Sequence, residues 1–65
     1  MIIEYRVVST GKVLDRITGD SVDELVYETG QARDVVAQIT RRLPDRQRMA
    51  ALASWSNGYV QLVAT

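Results

Sequence analysis

Neither cysteine nor histidine occurs among the 65 residues of this chain, and that double absence constrains the fold more than any motif does. A domain of this size buries only about 60% of the surface its unfolded chain exposes. Domains with so thin a margin usually add a disulfide, a structural metal or a partner chain. Without Cys the first is closed, and a metal would have to rest on carboxylates alone. A partner chain is the reinforcement that remains. The same absence removes imidazole bases, thiol nucleophiles and every Ser–His or Cys–His pair. The expectation is therefore a non-enzymatic protein without a cofactor.

Apolar residues make up 46% of the chain and charged ones 25%, in a composition that is globular rather than disordered. One small domain over residues 1–65 is expected. Eight basic residues balance eight acidic ones, so no net field favours polyanions. No apolar run approaches the ~20 residues of a membrane span. Met-Ile-Ile-Glu-Tyr-Arg at the start lacks the basic leader and apolar core of a secretion signal. A cytoplasmic location follows as the default. Lys12 is the single lysine among the eight cations, which fits a GC-rich coding genome. Together with the small size, this suggests an accessory or regulatory protein of a bacterium or a phage.

Ile2–Val8 is rich in β-branched and aromatic residues and reads as a strand, turned at Thr10-Gly11 into a second strand over Val13–Thr18. A two-residue connection sets Val7 opposite Leu14 and Arg6 opposite Asp15, an opposite-charge pair contributing about 0.2–1 kcal/mol. Ser21-Val22-Asp23-Glu24 has the form of a capping box. From it Val22, Leu25, Val26, Thr29, Ala32, Val36, Ile39 and Leu43 follow one helical stripe, in phase across Gly30. One long helix ending before Pro44 is expected. For residues 45–65 two patterns compete. Asn57-Gly58 is a strong hairpin signal and favours strands over 48–56 and 59–64. Arg48-Met49-Ala50-Ala51-Leu52-Ala53 instead has helix propensity. The fold class is α+β, a small antiparallel sheet with a helix on one face. Its order is β-β-α-β-β, or β-β-α-α-β if the second pattern wins.

The motifs that carry chemistry elsewhere are incomplete here. Thr10-Gly11-Lys12 lacks the upstream Gly and the following helix of a phosphate loop. Asp15, Asp20, Asp23 and Glu24 have no EF-hand spacing. Two features point to binding instead. Arg41, Arg42, Arg46 and Arg48 fall within eight residues and suit phosphates or an acidic partner surface. Both hairpins also place apolar residues on both faces, whereas a half-exposed sheet alternates apolar with polar. Val13, Ile17, Leu52 and Val63 are the expected self-association residues. The function expected is a small interaction module that forms a homodimer and engages another protein. The second candidate is a nucleic-acid-binding regulator using the Arg41–Arg48 cluster.

Overall fold

A computed structural model describes the backbone of residues 1–65 and every side chain except those of Asp45 and Arg46. The chain is a small α+β domain. Strands β1 (Ile2–Val7), β2 (Val13–Thr18), β3 (Val26–Tyr27) and β4 (Val60–Ala64) accompany helices α1 (Arg33–Thr40) and α2 (Asp45–Leu52). The antiparallel sheet runs β3-β2-β1-β4. The order is thus β-β-α-α-β with a short strand inserted before α1.

The first hairpin forms, in another register. Ile3 faces Ile17 and Tyr5 faces Asp15, while Arg6 faces Val13, which leaves Leu14 as a bulge. Residues 8–11 make the loop, closed by the Gly11 amide on the Val7 carbonyl at 2.8 Å and the Val7 amide on the Lys12 carbonyl at 2.9 Å. A slip of one residue exchanges the faces of a strand. The observed register puts Ile3, Tyr5 and Ile17 on one buried face, which outweighs the modest gain of an Arg6–Asp15 pair.

The capping box does not start a helix. Ser21 makes no side-chain cap, and Val22–Glu24 is a single 3-10 turn followed by extended Leu25. Val26 and Tyr27 then pair with Thr18 and Ile17 as β3, in keeping with their strand propensity. Gly30 lies at φ +84°, a left-handed conformation that ends any continuous helix there. The apolar stripe survives only in its second half, where Ala32 and Val36 are buried and Ile39 is packed against the core. Gly30→Ala should cost about 1–2 kcal/mol, the penalty of an L-residue in that conformation. The shift of the urea midpoint measures it.

Residues 45–52 form α2 rather than a strand. Propensity prevails over the turn signal because the turn at Asn57-Gly58 needs no long partner strand. The Asn57 side-chain oxygen accepts the Tyr59 and Val60 amides at 2.9 and 3.0 Å. Of Asn57 and Gly58 only Gly58 adopts positive φ, so the turn is an Asx turn and not type I′. What remains of the second hairpin is a bridge between Ser56 and Gln61. The core holds Ile3, Tyr5, Ile17, Ala32, Val36, Leu52 and Leu62.

Candidate interaction site

The helices cover one face of the sheet. On that side β1 contributes Ile3 and Tyr5, β2 contributes Asp15 and Ile17, and β4 contributes Leu62. Alternation along the strands sends their neighbours to the other side. Glu4 with Arg16 and Val63 forms one cross-strand row there, Arg6 with Val13 and Gln61 a second, and Ile2 with Thr18 and Val26 a third. Val8 and Tyr59, joined by a backbone hydrogen bond of 2.9 Å, carry the alternation one residue past β1 and β4.

At the centre of this open face lies an ion network. The Arg6 guanidinium donates to Glu4 through Nε at 3.0 Å and also through NH2. Arg16 donates to the other Glu4 oxygen at 3.0 Å and to Glu28 at 3.1 Å. The Arg6 and Arg16 hydrogen bonds together hold the Glu4 carboxyl below the usual carboxylate range. Glu4 in turn raises Arg16 above its ordinary value. Two acids and two bases balance, leaving the face neutral. Around it stand Ile2, Val8, Val13, Val26 and Tyr59, between 39% and 81% exposed. They are five of the six exposed large apolar residues among the described side chains, Met1 being the other.

The four residues expected to mediate self-association therefore separate. Val13 and Val63 lie on the open face. Ile17 and Leu52 are 1% exposed and belong to the core of the single chain. The register change moved Ile17 across the sheet, and the helical state of 45–52 turned Leu52 inward. Val13 and Val63 share the open face with Ile2, Val8 and Tyr59, and with Val26, which the expected helical stripe includes; the ionic centre is legible in sequence as well. Its sequence signal was the alternation of Ile3, Glu4, Tyr5, Arg6 and Val7, which marks a strand with one polar face.

Asp15, 2% exposed, turns to the covered side. Its two oxygens accept the Thr29 amide at 2.8 Å and the Ala32 amide at 2.9 Å. Burial raises the carboxyl, but these backbone donors together prevail and lower it. Thr29 and Gln31 also donate to the carbonyl of the bulge residue Leu14 at 2.9 and 3.1 Å. Loop 28–32 is thereby stitched along the outer edge of β2, where an open strand would invite pairing. Asp15 is thus the acceptor that ties the loop to β2.

The arginine cluster is divided as well. Arg48 donates from Nε to the Leu43 carbonyl at 2.8 Å, closing the chain after α1. Arg41 and Arg42 are exposed beyond the end of that helix. The Arg46 side chain lies outside the described residues. Arg42 joins Val35, Gln38, Ile39, Leu43 and Trp55 in lining a cleft of about 280 Å³ on the helical layer. No helix among the described residues is long and apolar enough to cross a membrane. Comparison of the chain with family models, curated proteins and solved structures returns no match.

Proposed function

We propose that this protein is a non-enzymatic interaction module that pairs with a second copy of itself through the open face of its sheet. The observation that carries this reading is the gathering of five exposed apolar residues on the one face that no helix covers. Exposed apolar side chains gathered around a polar centre on one face are a mark of interaction sites. The ionic centre supports a like partner. Glu4 and Glu28 alternate with Arg6 and Arg16, so a two-fold axis can set the acids of one copy near the bases of the other.

Size sets the expected strength. Four strands about 4.8 Å apart and six residues rising about 3.3 Å each give a face of roughly 19 by 20 Å. That is small beside the ~800 Å² of accessible surface per partner in a typical stable complex. A reversible dimer dissociating in the micromolar range is expected, not an obligate one. Sedimentation equilibrium from about 10 μM to about 1 mM brackets such an affinity. The mass should rise from 7.3 kDa toward twice that value. Val26→Asp, at a side chain 68% exposed, should keep the fold and hold the mass at the monomer. A wild-type chain that stays monomeric throughout this range would refute the reading.

A further inference from the structure

We infer that the cleft on the helical layer receives a short acidic segment of another protein, anchored by one apolar side chain. Val35, Ile39, Leu43 and Trp55 supply its apolar wall, while Gln38 and Arg42 form the polar part. The volume is about 280 Å³, just below the ~300–1,000 Å³ of clefts that enclose a whole small ligand. A single anchoring side chain suits it, as in recognition of a segment through one or two buried anchors.

The charge of the partner follows from which arginines are already engaged. Arg48 satisfies the Leu43 carbonyl, so the close of α1 does not require Arg41 or Arg42 for that contact. Among the described residues neither forms an ion pair, since the carboxylates in ion pairs are Glu4, Glu28 and Asp20, held by Arg6, Arg16 and the N-terminal amine. Two uncommitted guanidiniums, one in the cleft and one next to it in sequence, complement carboxylates flanking the anchor. A polyanion such as nucleic acid would need a broader basic surface, and this chain carries no net charge. The inference does not rest on self-association, because the cleft is built on the helical layer and not on the open sheet face.

Trp55 is the only tryptophan in the chain, so its fluorescence reports on the cleft directly. The probe is the end-blocked peptide Ac-Glu-Glu-Leu-Leu-Glu-Glu-NH2, with Lys-for-Glu and Ser-for-Leu peptides as comparisons. The acidic peptide should shift Trp55 emission to the blue with saturation below about 1 mM, and each comparison peptide should bind at least about tenfold more weakly. Arg42→Gln, and Arg41→Glu with Arg42→Glu, should weaken binding by about tenfold or more while leaving the circular dichroism unchanged. The absence of a saturable shift would overturn the inference, as would equal binding of the lysine peptide or indifference to both variants. Tighter binding of a single-stranded oligonucleotide, with a steep salt dependence, would also overturn it in favour of nucleic acid.

Discussion

Asp15→Ala is expected to leave much of the protein unfolded at room temperature. The carboxylate is the acceptor for two backbone amides fourteen and seventeen residues further along the chain. Thr29 is exposed and its amide can turn to water, but Ala32 is fully buried. Removing the acceptor forfeits hydrogen bonds to a charged group, about 1.5–3 kcal/mol, and orphans a buried donor at a further cost of about 1–3 kcal/mol. A chain of this length has a total stability of roughly 3–10 kcal/mol at 0.05–0.15 kcal/mol per residue. The loss is of the same order as the whole. Asp15→Asn keeps one acceptor oxygen and should fall between the two. Urea titration followed by circular dichroism measures all three, and a variant within about 0.5 kcal/mol of the parent would show that the loop is held by other contacts.

The same carboxylate makes stability depend on pH in a definite sense. Its folded value lies below the ordinary range because the backbone donors outweigh burial. The unfolded chain therefore takes up the proton first as pH falls. The stabilisation is fully present above the unfolded value of about 3.9 and is lost as pH drops through the folded one. Glu4, lowered by Arg6 and Arg16, acts in the same direction. The urea midpoint should be level above about pH 5 and decline below about pH 4. Asp15→Asn should flatten that decline, with Glu4 accounting for what is left.

Which parts of this architecture were legible depends on the distance over which they are decided. The first hairpin and the second half of the apolar stripe rest on local alternation and periodicity, and both persist. The stretch from Ser21 to Gly30 satisfies a local helix rule and still becomes a 3-10 turn, a strand and a turn. Val26 and Tyr27 gain pairing with β2 and Gly30 gains its left-handed turn, neither of which a capping pattern registers. Sequence pairs Asp15 with Arg6, the nearest opposite charge across the turn, because the Thr29 and Ala32 amides that it accepts leave no mark in the sequence. Its signal was positional: in the alternation through Asp15 and Ile17, an acid occupies a core-facing place and so requires buried donors. Of the four residues expected to mediate self-association, Val13 and Val63 lie on the open face. Its membership differs because the bulge at Leu14 decides which side Ile17 takes and the helix over 45–52 turns Leu52 into the core.

Leu52→Ala should be the second most damaging substitution, and it tests how α2 is attached. Leu52 is the one fully buried residue among the described side chains of that helix; Gln47 and Ala50 are exposed, and Arg48, Met49 and Ala51 are half-buried. Pro44, extended at ψ 151°, precedes the helix without a side-chain cap. Eight residues are too few for a helix to persist in water by propensity alone. The packing of Leu52 against the core therefore supplies the main hold on α2. Truncation to Ala at such sites costs about 2–5 kcal/mol, the larger values applying where the surroundings cannot collapse. Loss of the α2 anchor should lower the helical ellipticity and shift Trp55 emission to the red, because Trp55 follows α2 and packs against the same core. Leu52→Met conserves volume and should cost less than about 1.5 kcal/mol. Val26→Ala, at a side chain 68% exposed, should stay within about 0.5 kcal/mol at concentrations where the chain is monomeric. A Leu52→Ala variant no less stable than Val26→Ala would mean that α2 is held by contacts other than this side chain.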